Sequence, residues 1–356
     1  MEIVKEFSPE LTSPMTEIFN SMIENEYPSQ WKVEYVTPIV KNDPPQSEDD
    51  LCNIALTAFF SKVFEGFVVS WLMKFIKDEI DPGQYGGLPG NSISHYLVEL
   101  INFVLYNLDL PIPHAVLLAM IDFSKAFNRM DHHRLIIILY EMSVPGWLLK
   151  IIISYLQDRS MILRHNGSSS SKHLLPGGSP QGALLGVILF LVQINKAGIP
   201  SVPHPYIDSP LLSSKRKKRR SIKSTRVKFV DDLSLAQSIN LKKSLIPDTL
   251  PVRPLSFDSR TEQILPTQDL LIQQQLQELL LYTRQNSMKI NYTKTKVMKF
   301  NTAKSLDFPV RLSFQNNEYL EVVDHCKLLG IIISSDLKWS RNTRHLIKKA
   351  MWICGS

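Results

Sequence analysis

No stretch of this 356-residue chain is apolar for long enough to span a membrane, which takes roughly 18 residues. The longest apolar run, residues 183–192, is halted by Gln193. The start, Met1-Glu2-Ile3-Val4-Lys5-Glu6, has no basic segment leading into an apolar block, so no secretory signal is expected. Cysteine is scarce. Cys52, Cys326 and Cys354 lie far apart, form no metal-ligand spacing and cannot all pair. The pattern argues for a reducing compartment and for free thiols that fill core or surface. The expected location is intracellular, nuclear or cytoplasmic and not secreted, with no membrane partner. A general excess of one charge is also missing. The formal net charge of +6 comes from a single run at 215–220; without it, basic and acidic residues balance at 34 each. Such a patch contacts nucleic-acid phosphates, serves as an import signal, or is a solvated loop without a role. The sequence leaves these three open and says nothing of oligomeric state.

What the chain does have is acids at the ends of apolar runs. Phe229-Val230-Asp231-Asp232 carries two strand-forming residues straight into two adjacent carboxylates. An unpaired buried charge is expensive, and the usual partner of clustered carboxylates is a divalent metal. Alone, Asp-Asp at a strand end is more often a turn. A second acid in a matching context changes that. Asp122 follows the unbroken apolar run 115–121, which suits a strand covered on both faces. If the two strands are neighbours, Asp122, Asp231 and Asp232 converge. Three carboxylates at one point force protonation unless cations are present. Two metal ions roughly 3.5–4 Å apart would resolve the conflict, and that is a site for phosphoryl transfer.

Between these acids lies the turn-rich Pro176-Gly177-Gly178-Ser179-Pro180-Gln181-Gly182, leading into an apolar helix. Its glycines allow close backbone approach to a ligand, and the Gln181 amide can both donate and accept. Read without the acids, it is a plain loop before a buried helix.

Along the rest of the chain, helices are expected over 11–28, 59–80, 92–108, 133–142 (capped by Asp131), 146–156 (after Pro145) and from Thr267. In 59–80, Phe60, Val63, Phe64, Phe67 and Trp71 recur at helical spacing and are expected to face the core. Strands are expected at 33–40, 297–300 and 328–333. Adjacent His132 and His133 point apart on any helix and do not form a metal site. The segments 198–226 and 244–266, rich in proline, read as exposed loop insertions. With 44% hydrophobic residues, the length fits one large multi-lobed α+β domain with an antiparallel sheet at its centre.

In their order, these motifs resemble the reverse transcriptase domain of non-LTR (LINE-type) retrotransposons. Asp122-Phe123-Ser124-Lys125-Ala126-Phe127 is similar to the first palm motif. Gly178-Ser179-Pro180-Gln181-Gly182-Ala183-Leu184-Leu185-Gly186 is similar to the second. Phe229-Val230-Asp231-Asp232 resembles the third, and Met288-Lys289-Ile290-Asn291 with Lys294-Thr295-Lys296 the fourth. Leu328-Leu329-Gly330-Ile331 resembles the primer grip. Upstream, Trp31-Lys32, Pro38-Ile39-Val40-Lys41, Leu56-Thr57 and Gln84-Tyr85-Gly86-Gly87 resemble parts of the fingers.

The resemblance implies a right-hand polymerase of fingers and palm, with fingers and the start of the palm over 1–110, palm over 111–325, and primer grip with the start of the thumb over 326–356. The thumb is expected to be truncated, and no endonuclease is expected before the fingers. The implied activity is RNA-directed DNA polymerisation on an RNA template, a DNA primer and dNTPs, with two Mg2+ or Mn2+ ions. Asp122, Asp231 and Asp232 are the implied catalytic and metal-binding residues. Phe123 through its carbonyl, Phe127 as the gate against a 2′-hydroxyl, Gln181, Gly182 and Lys294 are the implied nucleotide-binding residues. Two positions depart from the pattern. Asn128 stands where Asp is frequent. Cys52 stands where an arginine would clamp the triphosphate, a lost contact of about 1.5–3 kcal/mol. The departure leaves a rival expectation, a catalytically inactive retroelement-derived fragment that binds nucleic acid.

Overall fold

The computed structural model describes residues 6–40, 44, 51–180, 182–199, 223–241, 271–303, 308–315 and 318–355, without the side chains of 52, 53, 352, 353 and 355. In chain order the elements are α1 (Ser8–Glu24), β1 (Val33–Val40), β2 (Leu51–Leu56), α2 (Phe59–Ile76), α3 (Ile93–Leu108), β3 (His114–Ile121), α4 (His132–Glu141), α5 (Gly146–Leu156), β4 (Ser160–His165), β5 (Ser168–Ser169), β6 (His173–Leu174), α6 (Leu184–Ile194), β7 (Ser224–Phe229), β8 (Asp232–Asn240), α7 (Leu271–Gln285), β9 (Lys296–Asn301), β10 (Glu321–Val322), β11 (His325–Leu328), β12 (Ile331–Ser334) and α8 (Ser340–Gly355). They divide into two compact units that the chain visits alternately. Unit 1 holds Met1–Asp81, Lys125–Asn195 and Asn286–Met288; unit 2 holds Pro82–Ser124, Lys196–Gln285 and Lys289–Ser356.

Unit 1 is built on a sheet of order β2-β1-β4-β5, with β6 also on β4. β1 pairs antiparallel with β2 and parallel with β4. The helix expected after Pro145 runs over Gly146–Leu156. Asp131 caps α4, its Oδ1 accepting from the Arg134 amide at 3.0 Å, a bond type worth roughly 1 kcal/mol. The buried stripe of α2 differs from the expectation. Phe64 is buried, but Val63 and Phe67 are exposed, and the stripe instead holds Ser61, Phe64, Glu65, Val68, Leu72 and Ile76. A carboxyl at a core position is paired rather than excluded. Glu65 Oε2 accepts from the Leu185 amide at 3.1 Å and Oε1 from the Ser61 hydroxyl at 3.2 Å. The Ser61 hydroxyl also lies 2.5 Å from that of Tyr27. Burial pushes Glu65 up, and the hydrogen bonds from Leu185 and Ser61, then the Arg159 guanidinium, pull it partly back. Arg159, itself fully buried, does the same for Glu34. Glu34 and Arg159 line a cavity of about 200 Å³, large enough for water to reach polar atoms that no protein group meets.

Unit 2 carries the sheet of order β10-β9-β3-β8-β7. β3 is antiparallel to both β8 and β9, and β7 to β8. Every residue of β3 is buried, which is why its sequence shows no polar alternation. Val116, Leu118 and Met120 pack in one cluster with Tyr96, Leu100, Phe103 and Val104 of α3 and with Met298 and Phe300 of β9. Ala115, Leu117 and Ala119, alternating onto the other face, are fully buried too, and α7 packs against β8. The α+β expectation with a central antiparallel sheet therefore holds.

Three sequence expectations change in detail. The single strand at 328–333 is instead the end of one strand and most of the next. Leu329 at φ +48° and Gly330 at φ +86° turn the chain between β11 and β12, because positive φ at both residues suits a tight hairpin. Residues 224–226, read as the end of a loop, begin β7, with Ser224 and Thr225 buried. Gln84-Tyr85-Gly86-Gly87, read with the fingers, lies in unit 2 beside β7, in a parallel bridge of Gln84 with Lys228. The basic run at 215–220 and the whole of 244–266 lie outside the described residues. No helix among them is long and apolar enough to cross a membrane.

Candidate active site

Asp122 is the first residue after β3, and Asp232 the first of β8. Ile121 pairs with Leu233, so one more step of the register sets Asp122 opposite Asp232. Opposed residues of an antiparallel pair are about 4.5–5.5 Å apart at Cα and share a face. The two carboxylates therefore issue side by side from the middle of the sheet. Phe229 pairs with Asp232, which leaves Val230 and Asp231 as the whole turn between β7 and β8. Val230 sits at φ +58°, where a β-branched residue is a true outlier. Strain of this kind costs about 1–3 kcal/mol and persists only where neighbours hold it.

The electrostatics are those of crowded like charges. The Asp232 carboxyl is pushed up to about 6, first by burial, then by Asp231, then by Asp122. Burial also raises Asp231, and its own backbone amide pulls it partly back. Among the described residues, the charged groups that shift Asp232 are both carboxylates. Among the described residues, no three His, Cys, Asp or Glu side chains are already gathered tightly enough to enclose an ion. The fit of the acids to a cation therefore rests on charge: three carboxylates on neighbouring backbone positions, with Asp232 raised by burial and then by the other two.

The backbone of Asp122 is fastened from the other edge of β3. Its carbonyl accepts from the Asn291 amide at 2.8 Å, and its amide donates to Thr295 Oγ1 at 3.2 Å. Thr295, fully buried, donates in turn to the Asn291 carbonyl at 2.8 Å. Phe123 forms an antiparallel bridge with Ile290, whose hydrogen bonds are made by the flanking residues. In such a bridge the residue's own N–H and C=O point to the opposite edge. The Phe123 carbonyl thus faces the edge on which β8 begins with its acids. Lys294 is exposed in the turn that follows Asn291, its amide donating to Asn291 Oδ1 at 3.2 Å. Asp122, Phe123, Asp231, Asp232 and Lys294 all belong to unit 2.

The other expected residues belong to unit 1. Phe127 is half-buried and stacks on Phe190, with ring centroids 4.8 Å apart. The glycine loop is pinned to the segment Phe127 begins. The Gly178 amide donates to the Met130 carbonyl at 2.9 Å, and Ser179 to the Phe127 carbonyl at 3.0 Å. Gly178 has φ +82°, and a Cβ there would lie 2.9 Å from the Asn128 carbonyl oxygen, so only glycine fits. Gly182 is exposed at φ +109°. Gln181 and the Cys52 side chain lie outside the described set.

Sequence reasoning quoted Gln84, Gly86 and Thr295 within motifs without giving them a role, and passed over Tyr96. The Tyr96 hydroxyl lies 2.7 Å from that of Ser234, two residues past Asp232.

Residues 45–333 match the family of reverse transcriptase (RNA-dependent DNA polymerase). The chain belongs to the reverse transcriptase family. It is 26% identical over 228 residues to a probable RNA-directed DNA polymerase from transposon BS of Drosophila melanogaster, a match over 63% of this chain and 23% of that protein. It is 27% identical over 192 residues to one from the Drosophila transposon X-element, over 53% of this chain and 21% of that protein. The likeness to non-LTR retroelements read from the motifs agrees with these relatives. This reverse transcriptase chain spans less than a quarter of their length. Among solved structures it resembles apo telomerase from Candida tropicalis truncated from its C-terminal domain, with TM-score 0.50 and 9% identity over 93% of this chain and 59% of that one. At that identity the likeness speaks to fold alone.

Proposed function

We propose that this chain is an RNA-directed DNA polymerase that adds dNTPs to the 3′-hydroxyl of a DNA primer on an RNA template. The observation that carries the reading is the field at the end of β3 and the β7–β8 turn, where the Asp232 carboxyl is pushed up first by burial, then by Asp231 and Asp122. Clustered carboxylates that repel one another are a preformed demand for divalent cations. Asp122 and Asp231 would hold two such ions, with Asp232 and the Phe123 carbonyl as further ligands. When bound, Mg2+ or Mn2+ would supply the charge that lowers the pKa of the primer hydroxyl and offsets that of the triphosphate.

The protein's own part is positioning. The β3–β8 register fixes the spacing of two carboxylates. The Asn291–Thr295 fastening holds Asp122 at the level where β3 ends. Lys294, exposed near that fastening, would meet the phosphates and neutralise the leaving group. By resemblance, Phe127 would exclude a 2′-hydroxyl, and Gln181 and Gly182 would border nucleotide and template. Divided by segments, 1–110 would supply fingers and the start of the palm, 111–325 the palm, and 326–356 the primer grip. The inactive-fragment alternative leaves the three acids without a task.

The test is primer extension on an RNA template with Mg2+ or Mn2+, by the chain and by its Cys52→Arg variant. Incorporation abolished by Asp231→Asn supports the proposal. No incorporation by either form, with RNA binding intact, would leave the binding fragment as the function.

A further inference from the structure

We infer that Gln84, braced by Gly86, is a positioning residue that holds the Val230 turn and through it aims the Asp231 carboxylate. The inference rests on the polymerase reading for its catalytic meaning, but the contacts stand without it.

Residues 83–86 run alongside the end of β7 as a short brace. The Lys228 amide donates to the Gly83 carbonyl at 2.8 Å, and the Tyr85 amide to the Lys228 carbonyl at 2.8 Å. The side chain of Gln84 then curls toward the turn. Its Oε1 accepts from the Gly86 amide at 2.9 Å and from the Val230 amide at 3.1 Å. One buried oxygen thus ties the brace to the one residue of the turn at φ +58°. Gln84 is 3% exposed. Its Nε2 meets no hydrogen-bond partner among the described residues, so the residue serves as an acceptor and its amide nitrogen is not what the site uses.

Gly86 closes the other side. A Cβ there would lie 2.4 Å from the Val230 nitrogen and 2.7 Å from the Phe229 carbonyl carbon. Both of those atoms are backbone and cannot step aside. The absent side chain is therefore what lets the brace lie flat against the turn. A buried amide donor that loses its acceptor carries the full desolvation penalty. Without Gln84 Oε1, the Val230 amide must find another partner, and the turn must leave its strained conformation to do so. Asp231 is the next residue, so its carboxylate moves with it. Misplacement of a reacting group by an ångström is enough to reduce rate a hundredfold.

Gln84→Met keeps length and apolar volume and deletes the acceptor. Gln84→Glu keeps an acceptor oxygen at the same place. In the metal-free protein, hydrogen exchange at the Val230 amide should speed up at least tenfold in Gln84→Met relative to amides of β3, and stay within threefold of wild type in Gln84→Glu. In primer extension, Gln84→Met should lower kcat about 10–100-fold with KM for primer–template within twofold, while Gln84→Glu retains most of the rate. Gly86→Ala, which pushes the turn rather than releasing it, should show the same kcat loss and carries the test should Gln84→Met fail to fold. Wild-type exchange at Val230 in Gln84→Met, or equal kcat in the Met and Glu variants, overturns the assignment. If the wild-type chain extends no primer while Gln84→Met still unprotects Val230, the polymerase reading falls and the positioning of Asp231 stands.

Discussion

Each unit gathers carboxyl groups where water is scarce, and each treats them in the opposite way. In unit 1, Glu34 and Glu65 share the field of Arg159, and Glu65 takes donors from Leu185 and Ser61. Charge of both signs is present, and Glu65 finds its donors within the protein, while Glu34 Oε2 and the Arg159 Nε and Nη2 atoms meet no partner among the described residues. In unit 2, Asp231 and Asp232 are raised by burial, and the charges acting on Asp232 are carboxylates like itself. The first arrangement is what a protein builds to keep ionisable groups in a stable interior. The second is left unbalanced, and imbalance of that kind marks a site that waits for something. Substitutions should therefore have opposite signs in the two units.

The largest effect expected is on activity. Asp231→Asn should reduce primer extension below about one thousandth of wild type, the scale on which preorganised charge stabilisation is lost. RNA binding, read by anisotropy, should stay within about twofold. Residual extension of a tenth or more would show that the acids of unit 2 are no more functional than those of unit 1.

Removing the cation of unit 1 should come next. Arg159→Leu strands Glu34 and Glu65 without a counter-charge and should destabilise the protein by about 3–5 kcal/mol, measured by urea unfolding. A loss under about 1 kcal/mol would mean that water in the adjoining cavity, rather than Arg159, carries those carboxyls.

The opposite sign is expected for Asp232→Asn. A carboxyl whose native pKa is raised adds stability at pH values below its unfolded value and loses it as pH rises through the native one. With Asp232 pushed up to about 6, metal-free stability should fall between about pH 4 and 6. Asp232→Asn should flatten that fall and stabilise the metal-free protein at pH 7 by roughly 2 kcal/mol. Mg2+ should raise the wild-type Tm at pH 7.5 more than at pH 5, and leave the variant nearly unmoved. A variant less stable than wild type at pH 7 would contradict the account of unit 2.

Smallest is the packing behind the acids. Tyr96→Phe deletes the hydroxyl that meets Ser234 and should lower stability by about 1 kcal/mol, with kcat within about threefold. A tenfold loss of kcat would extend the positioning network from the turn to the face of α3.

The acids, the strand that leads to Asp122 and the order of the motifs were legible in the sequence because each depends on local pattern, whereas β8, which begins with Asp232, was not expected. An apolar run such as 115–121 becomes a buried strand wherever it sits, and an Asp directly after it must emerge at that strand's end. The helix at 146–156 was legible for the same reason: Pro145 and the apolar spacing act within a single turn. The buried face of α2 was not. Its aromatics are helically spaced, yet Phe67 is exposed and Glu65 is buried, because the choice depended on partners more than a hundred residues away. Nor was the turn inside 328–333, since an apolar run does not announce where its backbone will take positive φ.

The sequence by itself determined that three carboxylates would stand at strand ends and that a metal-dependent phosphoryl-transfer site was within this chain's chemistry. Only the tertiary structure decided that β8 lies beside β3 in the register that sets Asp122 opposite Asp232, and that Gln84 reaches Val230 across 146 positions of chain. The reason is physical. Strand formation follows from the local alternation and branching of side chains. Strand pairing and long-range hydrogen bonds are chosen by which buried faces and unsatisfied backbone groups find one another when the whole chain has collapsed.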